Sequence, residues 1–282
     1  GLLAVRVDPA RTTSGDHQAQ ISLRAEADGA VLATLVVALR ALVAPGAGAA
    51  RRVLVVGLDG VRADALAVAD TPHLDQLARH GWATSEASTQ LTAPTVSGPG
   101  WSSIFTGVEA SRHRIFANGG WASFDRSYPS FVARARGAGL RTAAACNWTP
   151  ILDEILEDDA LDWSARGDDD AVTTALASAL RAGLHDVHYI HLNDPDAAGH
   201  ASGFATYSAA YVGALEASDA RVGRLLDALF ARPTLMSEDW LIIVTTDHGG
   251  ESRDHGPLTE ACRRVPLIVS GTGAEIGRAS CR

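Results

Sequence analysis

Val53-Leu54-Val55-Val56-Gly57-Leu58-Asp59-Gly60 decides how this chain is read. A strand with one face in water alternates apolar and polar residues, whereas an unbroken apolar run marks a strand covered on both faces, as in the middle of a parallel sheet. The run stops at an acid. In open α/β sheets ligands bind outside the carboxyl ends of the strands, so Asp59 is a candidate site residue and Gly60 a turn residue.

Downstream, the same grammar repeats. Thr71-Pro-His-Leu-Asp-Gln-Leu-Ala-Arg-His-Gly81 has an N-cap Thr, Pro at the first helical position, an apolar face of Leu74, Leu77 and Ala78, and a glycine stop, which predicts a helix. Tyr128–Ala138 reads as a second helix and Arg141–Cys146 as a second strand. Ala171–Ala182 is helical, Val187–Leu192 a strand, and Tyr207–Phe230 a long amphipathic helix closed by Pro233. Trp240–Thr246 is another buried strand, again followed by an acid, and Val265–Ser270 a further one. Alternating strands and helices predict an α/β fold: a doubly wound, mostly parallel sheet with helices on both faces.

Upstream the pattern changes. Leu3–Val7, Gln18–Ala25 and Ala30–Leu39 have strand character, with turn signals at Pro9, Ser14-Gly15-Asp16 and Asp28-Gly29. A helix over Val31–Leu42 competes with the third. The expected organisation is a β-rich segment over 1–44 resembling the end of an immunoglobulin-like domain, a Gly/Ala/Pro linker over 45–51, the α/β domain over 52–271 and an irregular tail over 272–282.

Composition narrows the function. The formal charge of -9 and the absence of a basic stripe exclude a nucleic-acid duplex held by its phosphates. There is no run of about 20 apolar residues, so no membrane span is expected. Cys146, Cys262 and Cys281 lack Cys-x-x-Cys spacing, which argues against a disulfide framework or a thiolate zinc site.

Three segments carry the chemistry. Thr95-Val-Ser-Gly-Pro-Gly-Trp-Ser-Ser-Ile-Phe-Thr-Gly107 places hydroxyls in a tight turn before a helix-competent run, with Thr95 and Ser97 as rival nucleophiles. Asp194-Pro-Asp196-Ala-Ala-Gly-His200 sets Asp196 and His200 four apart, one helical turn, so both can face one ion, and His255 completes a two-His, one-carboxylate set. Asp247 and His248, adjacent at a strand-to-loop junction, would with Asp59 and the Ser97 oxygen enclose a second ion. Two ions roughly 4 Å apart can clamp the attacking and leaving oxygens of a phosphoryl displacement. The other histidines are given bland roles: His185, His188 and His191 as structural, and His73, His80 and His113 as surface or turn residues. The acidic runs Glu157–Asp159 and Asp168–Asp170 read as solvated loop or helix N-terminal charge.

With these residues the chain resembles the alkaline phosphatase superfamily, in particular its type I phosphodiesterase/nucleotide pyrophosphatase branch. The likeness spans about Val53–Gly271. It rests on Asp59-Gly60 after the first strand, the Thr71–Leu77 helix motif, Asp196-x-x-x-His200, Asp247-His248 and His255. The family nucleophile stands ten residues before the glycine of a Thr-Gly pair, which selects Ser97 against Gly107. A phosphate-binding Asn 21 residues after the nucleophile falls on Asn118. Departures matter too: Trp101 stands where sulfatases have Arg, and His191 where classical phosphatases have a third-metal Glu.

The resemblance implies a hydrolase of small-molecule phosphate esters, diesters or nucleotide-like compounds, working through a phosphoseryl intermediate. It implies two divalent ions, zinc by preference, and an extracellular or periplasmic location. Monoesterase, sulfatase, mutase and an inactive secreted binding module are the alternatives. Gly98 and Gly100 are expected to leave space beside Ser97. Because the family continues past Val265–Ser270, a C-terminally truncated domain with an exposed sheet edge is also expected.

Overall fold

The computed structural model of the protein describes residues 15–24, 31–41, 49–89 and 91–271, the first two segments as backbone alone. Strands β1 (Gly15–Arg24) and β2 (Val31–Ala41) pair antiparallel, with Gly15 opposite Ala41 and an irregularity at Leu23/Arg24. Of the Val31–Leu42 run, Val31–Ala41 therefore resolves as strand, consistent with its β-branched residues, and Leu42 lies outside the described residues. The Leu3–Val7 run and the 272–282 tail lie outside the described residues.

The main sheet has seven strands: β3 (Ala50–Leu58), β4 (Trp82–Ser88), β5 (Thr142–Cys146), β6 (Trp163–Arg166), β7 (Val187–Leu192), β8 (Glu238–Thr245) and β9 (Arg264–Ser270). Their order is β4-β9-β8-β3-β7-β5-β6. From β8 to β6 all neighbours are parallel, while β9 runs antiparallel to both β8 and β4. The apolar octapeptide is thus the centre of the sheet. Leu58 pairs with Leu192 and Gly57 with Thr245, so the chain leaves β3, β7 and β8 at one edge, and Asp59, Asp194–Asp196 and Asp247 gather there.

Alternate residues of β3 serve opposite layers. Leu54, Val56 and Leu58 pack with Leu176, Leu180, Leu215, Val222 and Leu226 from the helices Asp169–Ala182 and Ala209–Phe230. Val55 faces the other way, onto Trp101, Phe105, Ile115, Ile151 and Tyr189. Strands β4 and β6 escaped the sequence reading. They lie at the sheet edges, where partial exposure erases the apolar run that betrays a central strand.

Helix starts show what set their boundaries. Pro72–Arg79 has Thr71 at its N-cap, but the Thr71 side chain makes no capping bond. Asp219, from the long helix, accepts from Leu74 N at 2.7 Å and His73 N at 3.3 Å instead, so the cap comes from a distant segment. Phe131–Gly137 starts later than Tyr128 because Ser130 is its N-cap, accepting from Ala133 N at 3.0 Å. Asp168 caps Asp169–Ala182 by accepting from Ala171 N at 2.8 Å.

His113 corrects an expectation: it is fully buried, hydrogen-bonded to Ser103 Oγ and accepting from Ile115 N, rather than a surface residue. Burial holds its pKa down at about 4, and that of His188, also structural as expected, at about 3. Both folded values lie below the ordinary 6.5, so the unfolded chain takes up these protons first. The stability that the neutral rings contribute is present above about pH 6.5 and lost as pH falls through 6.5 toward 4 and below. Urea midpoints of wild type and His188→Gln at pH 7.5, 5.5 and 4.5 check this. The wild-type midpoint should fall more steeply on acidification than the variant's, and parallel profiles would refute it.

Candidate active site

The nucleophile segment becomes the helix Ser97–Thr106, with Val96 extended before it and Gly107 left-handed after it. Its first turn lies against the carboxyl edge of the sheet. A Cβ at Gly100 would come within 2.8 Å of Asp247 Cβ, and one at Gly98 would collide with the Ala117 carbonyl. The two glycines therefore serve close packing of backbone on backbone. They do not leave space beside Ser97, contrary to expectation.

The rival hydroxyls separate. Thr95 Oγ1 donates to Pro257 O at 3.0 Å and accepts from Gly256 N at 2.9 Å, and the residue is buried. Ser97 Oγ instead faces the acids, 3.5 Å from Asp59 Oδ1 and 3.4 Å from His248 Nε2.

Six predicted ligands come together as two adjoining groups. In the first, His248 Nε2 lies 3.5 Å from Asp59 Oδ1 and 3.3 Å from Asp247 Oδ2. In the second, Asp196 Oδ2 is 3.5 Å from His200 Nε2, Asp196 Oδ1 is 3.6 Å from His255 Nε2, and the two Nε2 atoms are 3.1 Å apart. The rings of His248 and His255 stack at 3.8 Å and join the groups. Gly60, with φ +67°, brings the turn after β3 so near Asp196 that a Cβ there would sit 2.7 Å from Asp196 Oδ1.

The donor atoms fit metal ions. All three histidines direct Nδ1 at a main-chain carbonyl, which can only accept: His200 to Arg253 O at 2.9 Å, His248 to Gly249 O at 2.7 Å, and His255 to Thr95 O at 2.8 Å. Each ring therefore carries its proton on Nδ1 and turns an Nε2 lone pair toward the carboxylates, where a cation between them would be held by both, the arrangement that metal-ligating imidazoles adopt. Asp196 Oδ1 and Asp247 Oδ2 are buried without a hydrogen-bond partner.

Electrostatics agree. Burial pushes Asp247 well above the usual carboxylate range, and the charges of Asp59 and Asp196 add to it. Burial, then the Asp59 charge, raises Asp196 to about 7 against the opposing pull of His255 and His200. Asp59 alone is held low: burial opposes, but the His191 hydrogen bond, the His248 interaction and Trp101 outweigh it. Crowded carboxylates of this kind are relieved by cations.

Asn118 is exposed, and its Oδ1 accepts from Gly98 N at 2.5 Å. Its Nδ2 hydrogens remain for a ligand beside Ser97. Asp194 stands apart from the ligand groups, paired with Arg221 at 2.8 Å.

Four contributors were missed. Asp169, expected as solvated loop or helix N-terminal charge, does open the helix Asp169–Ala182, but it is buried and accepts from Asn193 N at 2.8 Å, Asp194 N at 2.9 Å and Asn147 Nδ2 at 2.7 Å, which fixes the turn into the helix Asp194–Ser202. His191 and Trp101 both hydrogen-bond Asp59. Asp254 has a carboxylate oxygen within 4.8 Å of the ligand atoms of His200 and His255, and only its place in a second Asp-His pair hinted at that.

Residues 53–260 match the family described as Type I phosphodiesterase / nucleotide pyrophosphatase. Among solved structures, an inactive variant of murine ectonucleotide pyrophosphatase/phosphodiesterase 5 in complex with AMP superposes with a TM-score of 0.60 at 21% identity, over 71% of this chain and 57% of that one. This chain thus spans little more than half of the murine protein. The phosphonate monoester hydrolase of Agrobacterium radiobacter gives 0.61 at 15% identity, over 79% and 68% of the two chains. A sulfatase-like protein from Bacteroides fragilis gives 0.65 at 14%, over 82% and 70%. At these identities the superpositions establish a shared α/β fold.

Proposed function

Because the chain belongs to the type I phosphodiesterase/nucleotide pyrophosphatase family, and so to the alkaline phosphatase superfamily, we propose that it is a metal-dependent phosphoric ester hydrolase acting through a phosphoseryl intermediate. The observation that carries this is the set of three Nε2 lone pairs and three carboxylates gathered beside the Ser97 hydroxyl.

Asp59, Asp247 and His248 would hold one divalent ion and Asp196, His200 and His255 another, zinc by the mixed nitrogen and oxygen donors. Such ions supply Lewis-acid charge that makes an oxygen a better nucleophile and offsets charge on phosphoryl and leaving oxygens. The chain's own groups do the rest. Ser97 Oγ, its proton released to solvent, attacks phosphorus; the Oγ–P bond forms as the bond to the leaving oxygen breaks, and the leaving group departs as an alcohol after taking up a proton. Water then attacks the phosphoserine, the Oγ–P bond breaks, and Ser97 regains its proton. Asn118 Nδ2 donates to a non-bridging phosphate oxygen throughout.

Substrate preference follows from that donor. A monoester dianion gains most from a cation at its non-bridging oxygens, whereas a diester is served by a neutral donor. Asn118 is neutral, and His191, at the third-metal position, is engaged with Asp59. Diesters such as an aryl nucleotide ester should therefore show higher kcat/KM than the matched monoester. Asn118→Ala should lower kcat/KM about 10- to 1000-fold. Parallel kinetics on matched esters, with metal analysis of the same protein, test both points. A clear monoester preference would put the chain elsewhere in the superfamily, and metal-loaded protein without turnover would favour an inert binding module. No helix among the described residues is long and apolar enough to cross a membrane. We place the protein outside the cytoplasm, as a proposal resting on the resemblance alone.

A further inference from the structure

We propose that Trp101 and His191 are a pair of positioning residues that fix which oxygen of Asp59 faces Ser97. Both converge on Asp59 Oδ2, Trp101 Nε1 donating at 3.0 Å and His191 Nε2 at 2.9 Å. The direction of the His191 bond is set from its other side. Trp148 N donates to His191 Nδ1 at 3.3 Å, so Nδ1 is unprotonated and the ring proton sits on Nε2. With Oδ2 occupied, only Oδ1 remains for the site, 3.5 Å from both Ser97 Oγ and His248 Nε2.

The indole is held from all sides. Trp101 is fully buried, edge-on to Tyr189 with centroids 6.2 Å apart and to His191 at 5.1 Å. Beneath it lies Gly57, where a Cβ would come within 2.5 Å of the ring. The glycine that interrupts the apolar run of β3 thus makes room for a donor to Asp59. A carboxylate pinned by two donors on one oxygen cannot swing to present both, so Asp59 offers the site a single, oriented atom.

The inference rests on the reading of Asp59 as a cation ligand, and the experiment separates the two. Metal-stripped protein is titrated with zinc against a chromophoric chelator, for wild type, Trp101→Phe, His191→Gln, His191→Leu and the Trp101→Phe/His191→Leu double variant. Trp101→Phe removes the donor while keeping an aromatic ring in place, its lost volume being read separately as a fall in metal-free melting temperature, and a Gln amide can replace the His191 donor. The expected result is two equivalents bound by wild type. One of these should weaken about 10- to 100-fold in Trp101→Phe and in His191→Leu, more in the double variant, and recover in His191→Gln. Unchanged affinity for both equivalents in Trp101→Phe and His191→Leu would overturn the positioning role while leaving the metal reading intact. No zinc bound by wild type would overturn both. Should the double variant fail to fold, Trp101→Phe, checked by its metal-free melting temperature, decides alone.

Discussion

Ser97→Ala is expected to lower kcat by at least about 1000-fold, whereas Thr95→Ala should cost no more than about 10-fold. The contrast comes from where each oxygen is spent. Thr95 Oγ1 donates to Pro257 O and accepts from Gly256 N, so removing it loosens a loop without removing a reacting atom. Ser97 Oγ has no such partners; its neighbours are Asp59 Oδ1 and His248 Nε2. Steady-state kinetics on an aryl phosphodiester, with acid-quench trapping of labelled phosphoenzyme, read the difference. Thr95→Ala should still trap label and Ser97→Ala should not. Label retained on the Ser97→Ala protein would show that another residue is the nucleophile.

Chelation should inactivate the enzyme reversibly, with about two equivalents of zinc restoring it, and Asp247→Asn should lose about 1000-fold or more that zinc cannot restore. Asp247 Oδ2 has no hydrogen-bond partner, so an amide in its place sacrifices charge and nothing else that the fold uses. The sign of the stability change distinguishes this from simple unfolding. A carboxyl whose folded pKa is raised destabilises the folded state once pH exceeds its ordinary range, because ionisation there is resisted. Metal-free Asp247→Asn should therefore melt at a higher temperature than metal-free wild type at pH 8, although it is the less active protein. Asp196, raised to about 7, adds a second signature: zinc binding at pH 7 should release protons, and affinity should weaken as pH falls below that value. Calorimetry in buffers of different ionisation enthalpy measures the release. A lower melting point for Asp247→Asn would mean that the carboxylate is structural.

What could be read from the sequence was whatever the chain encodes locally. The octapeptide at β3 needed only its own hydrophobicity to be recognised as central, and Asp196 with His200 needed only one helical turn. The trans-acting contacts left no such trace. His191 meets Asp59 across 132 residues, and Asp169 reaches Asn193 across 24, so neither partner sits at a spacing that periodicity can weigh. An acidic triplet opening a helix is normally solvated, and Asp169 differs only because the turn after β7 folds down onto it. His113 misled for a similar reason. A histidine in a polar loop reads as surface until Ser103 and Ile115 are seen to enclose it.

Thr95 also has a bearing on evolvability. Its main chain and hydroxyl make four hydrogen bonds to the 255–257 segment: Thr95 N to Gly256 O, Gly256 N to Thr95 Oγ1, Thr95 Oγ1 to Pro257 O, and His255 Nδ1 to Thr95 O. That suture holds the turn whatever side chain occupies position 97, so scaffold and reactivity are divided between two residues only two apart. Lineages are then free to exchange the reacting group without rebuilding its surroundings. A library randomised at position 97 over an unaltered Thr95 should keep zinc binding in most members, whereas one randomised at position 95 should keep it mainly where the new side chain is small enough to leave the two main-chain bonds in place.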